Sequence, residues 1–169
     1  MTNRKLVRLC DLTEGGYLQI FQGHANRVMV ITFAHDGNLL ASASGEFFRD
    51  WVYSQSDSLD NSLRLWSTLT GECLYLLGDI PAISSLSFSA DNQYLRTSLG
   101  TLELDRSGDN RLKVQHDGFF VKRDWVTHNG QNFLWLPPEY RPRETAVCDN
   151  VVVLVCGSRQ LVFLDFSLD

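Results

Sequence analysis

Short runs of alternating apolar and polar residues follow one another along the chain, and turn-forming residues separate them. From Ser62 to Trp66 the side chains alternate, Thr70 and Gly71 then form a turn signal, and another apolar run covers Cys73 to Leu77. A period of two indicates strands that bury one face, and β-branched and aromatic residues dominate these runs. Helical apolar spacing is absent, so the pattern predicts an all-β chain.

The pattern that precedes this run recurs farther along the chain. Each matched residue lies 55 positions after its partner, and the pairs are Gly23 and Gly78, Val28 and Ile83, Phe33 and Phe88, Asp36 and Asp91, and Leu40 and Leu95. Turn signals separate the apolar runs within each copy. The sequence therefore predicts a repeated unit that contains a hairpin.

The first copy resembles a WD40 repeat, in which Gly-His opens a unit and Trp-Asp closes it. Gly23-His24 stands at its start and Trp66-Ser67 near its end. WD40 units span about 40–45 residues, so a spacing of 55 positions is too long. The excess of 14 residues lies between Ser44 and Asp60, and its removal restores a period of 41.

The resemblance implies a partial, open WD40-type β-propeller of about three blades of antiparallel strands. The chain 1–169 is expected to form one domain. Its predicted segments are a half blade (5–22), a first full blade (23–77) with an insertion (45–59), a degenerate blade (78–136) and an incomplete last blade (137–169).

Four strands are predicted in the degenerate blade, at 83–88, 94–98, 119–127 and 133–136. The third of these takes Trp125 as the counterpart of Trp66, because each precedes a turn glycine by five positions, Gly71 after Trp66 and Gly130 after Trp125. Asn129-Gly130 is predicted to be the hairpin turn before the fourth strand. Residues 99–117 are interpreted as a polar connection with one short alternation. The predicted strands of the whole chain number thirteen, fewer than the four blades of four strands that the smallest propeller needs. We therefore expect either further blades upstream or closure by another chain.

A narrower resemblance concerns the C-terminal third of the chain. Asp124-Trp125-Val126-Thr127, the run Phe133 to Pro142 and the apolar stretch after it resemble the end of the WD40 sensor region in fungal NTPase signalling proteins of the NACHT class. The phosphate-binding loop of the NTPase part is absent from this sequence.

Composition and charge limit the classes of partner. The net charge of −5 leaves no basic patch, which argues against nucleic acid. The longest clean apolar run, Val151 to Cys156, is too short to span a bilayer, and the first residues do not resemble a signal peptide. The four cysteines (Cys10, Cys73, Cys148, Cys156) lie in or beside apolar strands, which favours buried reduced thiols over disulfides. The chain is predicted to be soluble and cytoplasmic, with no membrane partner.

Four residues, His24, Ser42, Asp60 and Trp66, invite two interpretations. A Ser, a His and an Asp could form a hydrolase triad, but Ser42 lacks a nucleophile elbow. The WD40 resemblance implies instead a structural tetrad, a chain of hydrogen bonds from the Trp indole through Ser and His to Asp. We favour the structural interpretation.

The tripeptide His-Asp-Gly occurs at 35–37 and at 116–118. Metal binding would need further ligands on a fixed frame, so turn formation is favoured at both places. No catalytic residue, no metal and no cofactor is predicted.

The insertion is the main candidate for partner binding. It contains Phe47, Phe48, Arg49, Trp51 and Tyr53, a composition typical of interface hot spots. In WD40 blades such a loop emerges on the same face as the residues equivalent to Asn26 and Arg27. A loop folded back on its own blade, and an unspliced in-frame stretch, remain alternatives.

The sequence therefore predicts a non-catalytic protein–protein interaction scaffold, and the narrower resemblance implies the sensing end of an intracellular signalling protein. An enzyme built on a propeller is one alternative, and a degenerate reading frame without function is another.

Overall fold

The structure is a computed structural model, and it describes residues 5–11, 13, 16–45, 61–106, 112–157 and 160–166. These residues form fifteen strands and one short 3-10 turn, and no α-helix occurs among them. The strands are β1 (Val7–Cys10), β2 (Tyr17–Phe21), β3 (Val28–Phe33), β4 (Leu39–Ser44), β5 (Ser62–Ser67), β6 (Cys73–Leu77), β7 (Leu86–Phe88), β8 (Tyr94–Thr97), β9 (Gly100–Asp105), β10 (Lys113–Val121), β11 (Trp125–His128), β12 (Gln131–Trp135), β13 (Pro142–Cys148), β14 (Val151–Cys156) and β15 (Leu161–Asp165). The predicted all-β class is confirmed.

The strands form four separate antiparallel sheets, as a partial, open propeller requires. The sheets are β1-β2, β3-β4-β5-β6, the six-stranded β7-β8-β9-β10-β11-β12, and β13-β14-β15. In each sheet, strands that are neighbours in sequence are also neighbours in space. Each sheet is therefore built by antiparallel pairing of strands that follow one another in the sequence.

Small residues allow the four-stranded sheet to pack tightly on both faces. Every residue of β4 is buried, and Ala41, Ser42 and Ala43 alternate along its centre. Strand β3 instead alternates half-buried and exposed side chains, as expected of a strand at the edge of its sheet.

The six-stranded sheet corrects two predictions. Residues 99–117 do not form a polar connection, because β9 and most of β10 lie there. Leu102 and Leu104 face the core while Glu103 between them faces outward, and this alternation extends over the whole of β9, farther than the short run recognised in the sequence. The predicted strand 119–127 is also wrong, because a turn after Val121 divides it between β10 and β11.

As a result, Trp125 is not the counterpart of Trp66. Trp66 lies opposite Leu40 in the third strand of its sheet, and the residue opposite the equivalent Leu95 is Leu102. Trp125 lies in the fifth strand of the six-stranded sheet and is only half-buried.

The hairpin turn between the first two strands is the same in both large sheets. The backbone N–H of Asn38 donates to the Asp36 carboxylate at 3.0 Å, and the N–H of Gln93 donates to Asp91 at 3.0 Å. The residue after each Asp has a positive φ, 72° at Gly37 and 59° at Asn92. A short acceptor followed by a residue that tolerates positive φ gives this turn its shape.

Three apolar clusters lie between successive sheets. Phe21 from the two-stranded sheet packs with Leu40 and Trp66 of the four-stranded sheet. A larger cluster joins the four-stranded and six-stranded sheets, and a third joins the six-stranded and three-stranded sheets. The sheets thus pack in the order of the sequence.

The cysteine prediction is only partly right. All four cysteines are free, but Cys10, Cys73 and Cys148 are exposed and only Cys156 is buried. Cys10 and Cys148 fall on the solvent side of the alternation in their strands, whereas Cys73 is the exposed first residue of β6. Within the described ranges, no helix is long and apolar enough to cross a membrane.

Candidate structural tetrad and partner surface

Three of the four residues of the predicted tetrad lie together in the structure. The indole Nε1–H of Trp66 donates to the Ser42 hydroxyl at 2.8 Å, and the same oxygen lies 2.7 Å from Nε2 of His24. The residues come from β5, from β4 and from the segment before β3. Asp60, the fourth predicted member, lies outside the described residues.

The three side chains are removed from solvent. Ser42 is 0% exposed, Trp66 1% and His24 6%. The Trp66 ring packs against Phe21 with ring centroids 5.7 Å apart, and His24 meets its edge at 6.0 Å. A Cβ added at Gly23 would lie 3.2 Å from the indole ring, so the chain at this point passes close over Trp66.

Two serines that sequence reasoning missed extend this arrangement. Nδ1 of His24 lies 3.3 Å from the Ser62 hydroxyl, and the Ser62 hydroxyl lies 3.3 Å from that of Ser44. Ser44 and Ser62 are directly opposite each other on β4 and β5. The spacing of Ser42 and Ser44 by two could have signalled a shared strand face, but Ser62 joins it only through the pairing register.

The hydrogens can be assigned so that each is used once. The Ser42 oxygen accepts from Trp66, and its own hydrogen then points to Nε2 of His24. A neutral imidazole that accepts at Nε2 carries its hydrogen at Nδ1, which faces Ser62.

This geometry suits a structural role. It connects two neighbouring strands with the segment that leads into β3, across 42 positions of sequence from His24 to Trp66. A nucleophile must meet its substrate, whereas the Ser42 oxygen lies in the interior and accepts from the indole. The arrangement can align strands, and it offers a substrate no access to Ser42.

The two His-Asp-Gly tripeptides differ in structure. At 35–37 the expected turn is present, and Asp36 forms an ion pair with Arg106 at 2.9 Å. The hydrogen bond from the Asn38 backbone N–H lowers the pKa of the Asp36 carboxyl below its usual value, and Arg106 lowers this pKa to a smaller extent.

At 116–118 the turn prediction is wrong. His116 and Asp117 continue strand β10, and Gly118, with φ of 69°, begins an irregularity in its pairing with β9. A glycine with positive φ in an unpaired position is typical of a β-bulge. Within the described part of the chain, no group of three His, Cys, Asp or Glu side chains could hold a metal ion.

Of the predicted partner surface, the structure describes only Asn26 and Arg27. Asn26 is half-buried and Arg27 is exposed. The Arg27 carbonyl accepts from the backbone N–H of Gly45 at 3.1 Å, so this segment adjoins the start of the insertion. The aromatic members of the proposed surface (Phe47, Phe48, Trp51, Tyr53) and Arg49 lie outside the described residues.

Comparison with known proteins agrees with the repeat inferred from Gly23-His24 and Trp66. The family model for the WD domain, G-beta repeat, matches residues 15–67. The chain is also 30% identical over 90 residues to the vegetative incompatibility protein HET-E-1 of Podospora anserina. That match covers 50% of this chain and 7% of the relative, so the chain spans only a small part of the protein it resembles. The WD40 resemblance is thereby confirmed.

Proposed function

We propose that this chain, which carries a WD40 repeat over residues 15–67, is a non-catalytic interaction module that presents loops to protein partners. WD40 repeats are generally interaction scaffolds, and the buried polar chain of the four-stranded sheet supports such a role here. The single observation that carries the proposal is the burial of Ser42 and His24. A serine and a histidine that are removed from solvent are suited to holding strands together rather than to acting on a substrate.

The contact surface is proposed to be the insertion together with Asn26 and Arg27. The hydrogen bond between Gly45 and Arg27 supports it, because the insertion then leaves the sheet beside an exposed guanidinium. Aromatic residues and Arg are the types that dominate interface energies. A loop of this composition beside Arg27 would offer both apolar contact and a cation.

The relative supports a finer proposal. Its name assigns it to vegetative incompatibility in a fungus, and the C-terminal third of this chain resembles fungal WD40 sensor regions. We infer that the chain is the partner-sensing end of an intracellular signalling protein. Its partners are then proteins, and no nucleic acid, membrane or cofactor is required.

Apolar strand surfaces support a proposal about assembly. Tyr17 and Leu18 on β2, Phe133 and Trp135 on β12, and Phe163 on β15 are all exposed. Exposed apolar side chains on the outermost strands of these sheets offer surfaces that another part of an assembly can cover. Further blades or a second copy of the chain would cover these strands, and size-exclusion chromatography with light scattering distinguishes a monomer from a self-associated form.

The proposal is tested by removing the insertion. A variant without residues 46–59 keeps the 41-residue period, so the blade is expected to fold. Partners captured by the intact chain are identified, purified and titrated against both forms. Loss of about tenfold or more in affinity supports the proposal. Unchanged affinity for every partner, with an unchanged melting temperature, would refute the insertion as the contact surface.

A further inference from the structure

A short proline-containing segment joins the six-stranded sheet to the three-stranded sheet. It carries Pro137, Pro138, Glu139 and Tyr140 in succession, and it lies between β12 and β13. Because the strands before and after it both belong to described sheets, the segment is an internal connection of the fold. Pro137 is half-buried, whereas the three residues that follow are exposed. A proline ring and an aromatic ring are therefore presented to solvent two positions apart.

The backbone of this segment has a defined conformation. Pro137 has φ of −53° and ψ of 154°, which is close to polyproline II geometry, and Pro138–Tyr140 then form a 3-10 turn. A proline fixes its own φ and also excludes the residue before it from the α region. The adjacent prolines therefore favour the extended geometry at Pro137 by themselves.

Contacts with the six-stranded sheet hold both ends of the segment. Leu136 is buried, and its backbone N–H donates to the Asp124 carbonyl at 2.8 Å. At the other end, the Arg141 guanidinium forms an ion pair with the Asp124 carboxylate at 3.1 Å. A segment that is already ordered loses less conformational entropy when a partner binds it.

The hydrogen-bonding groups of the segment indicate which kind of partner fits. Both prolines lack an N–H, and inside the turn the Tyr140 N–H donates to the Pro137 carbonyl at 2.8 Å and the Arg141 N–H to the Pro138 carbonyl at 3.4 Å. An added strand needs a row of donors and acceptors, which this segment does not present. Each carbonyl has a second lone pair, however, and a groove lined by Trp and Tyr offers N–H and O–H donors together with ring faces for the prolines.

We propose that residues 137–140 bind a partner module whose aromatic-lined groove recognises proline in polyproline II geometry and whose second pocket takes the tyrosine ring. WW domains are modules of this chemistry. The two prolines enter the groove, Tyr140 enters the pocket, and Glu139 acts as a spacer. The longer turn bond, from Arg141, can open as the tyrosine enters. This inference rests on the proposed function as an interaction module, but it assigns a surface other than the insertion.

The probe is a purified WW domain that selects the order Pro-Pro-x-Tyr, titrated into the full chain by isothermal titration calorimetry. Two control modules are the same domain with the tryptophan of its groove replaced, and an SH3 domain, which reads the order Pro-x-x-Pro. The WW domain is expected to bind the full chain at least about tenfold more tightly than either control. A free Pro-Pro-x-Tyr peptide is expected to displace the chain, because both would occupy one groove.

Variants of the chain separate this segment from general attraction to exposed rings. Tyr140→Ala and Pro138→Ala should each weaken binding about tenfold or more. Glu139→Ala, in the same turn, should change the affinity by less than about threefold, and Tyr17→Ala, which removes another exposed tyrosine, by less than about twofold. Removal of residues 46–59 should leave binding of the WW domain unchanged. Failure of the insertion as a contact surface is therefore distinguishable from failure of this segment.

Three results would overturn the inference. The first is no binding of the WW domain to the full chain at about 1 mM, and the second is equal binding of the SH3 domain, which would indicate an unselective attraction to proline. The third is binding that neither Tyr140→Ala nor the free peptide reduces. Displacement by the peptide requires no variant of the chain, so a destabilised Pro138→Ala protein would not prevent a decision.

Discussion

The four-stranded sheet and the six-stranded sheet use the same position of their second strand in different ways. Ser42 in β4 accepts a hydrogen bond from Trp66 and contacts His24, residues 24 and 18 positions away. Thr97, 55 positions after Ser42, donates to the Gly100 carbonyl at 2.8 Å and accepts from the Leu99 N–H at 3.0 Å. One hydroxyl joins distant segments, and the other shapes the turn that follows it.

This difference accompanies a difference in the next connection. A long segment separates β4 from β5, whereas only Ser98 and Leu99 separate β8 from β9. A two-residue turn fixes its strands locally, while strands that are distant in sequence need bonds across the sheet. The six-stranded sheet therefore needs no buried chain of hydrogen bonds at this position, because the tight turn between β8 and β9 already determines how these strands pair.

The largest expected effect concerns the residues that fill the third strand of each sheet. Trp66→Ala should lower the free energy of unfolding by about 3–5 kcal/mol through the cavity and the partner left at Ser42. Trp66→Phe keeps an aromatic ring but removes the indole N–H, and should cost about 2 kcal/mol. Leu102→Met, at the counterpart in β9, should cost less than about 1.5 kcal/mol. Urea denaturation of the three variants measures this, and equal costs for Trp66→Phe and Leu102→Met would contradict the comparison.

The two hydroxyls give the next largest effect. Ser42→Ala leaves two buried groups, on Trp66 and His24, without their shared partner, and should cost about 2–3 kcal/mol. Thr97→Val keeps the shape of the side chain and affects only one turn, so it should cost about 1–2 kcal/mol. Chemical denaturation combined with a double-mutant cycle between Ser42→Ala and Trp66→Phe tests the bond. A cycle with no coupling would show that Ser42 and Trp66 contribute independently.

Substitution at His24 should likewise cost more stability than substitution at Asp79, which lies 55 positions later in the second copy of the repeat. His24→Ala should cost about 2 kcal/mol, since the ring is buried and bonded at both nitrogens. Asp79 is exposed, pairs with Arg123 at 3.3 Å and has a positive φ of 54°, so Asp79→Asn, which removes the charge but tolerates that φ, should cost less than about 0.5 kcal/mol. Thermal melts followed by circular dichroism suffice for this pair. Similar melting temperatures for the two variants would mean that His24 is not a structural residue.

The smallest expected effect concerns pH. His116 packs edge-on against Phe120 at 4.4 Å, and its buried Nδ1 has no hydrogen-bond partner among the described residues. Burial, and to a smaller extent Lys122, lowers the pKa of His116 below its ordinary value of 6.5. The unfolded chain then binds the proton more readily, so stability is lost as the pH falls below about 6.5.

The measurement compares unfolding at several pH values between about 7.5 and 5. His116→Leu should show a smaller loss of stability than the unaltered chain over this interval, while His35→Gln, at an exposed turn, should follow the unaltered chain. Identical pH profiles for His116→Leu and the unaltered chain would exclude a contribution from this ring.

Local signals in the sequence predicted local structure well. The turns at Asp36 and at Asn129-Gly130 follow from residues that accept a backbone N–H or tolerate positive φ, and both Asn129 and Gly130 have positive φ. The alternating burial of the strands likewise follows from side-chain chemistry within a few positions.

The errors arose where structure depends on pairing between strands. The sequence of β10 is polar on one face, and only its pairing with β9 shows why residues such as Gln115 and Asp117 can belong to a strand. Trp125 was matched to Trp66 by its distance from a glycine, a spacing that any hairpin can produce. Ser62 was missed because its place opposite Ser44 depends on the register of β4 and β5.

The two ends of the long connection between β4 and β5 are held close together, and this affects how much stability a change in its length can cost. The Gly45 N–H bonds to Arg27, and Ser44 and Ser62 face each other across β4 and β5, so the connection starts and ends at neighbouring fixed points. The entropy cost of closing a loop grows only with the logarithm of its length, and fourteen additional residues cost about 1–2 kcal/mol. The blade can therefore tolerate changes in the length of this connection at a small cost in stability, because the strands on either side of it are paired with each other.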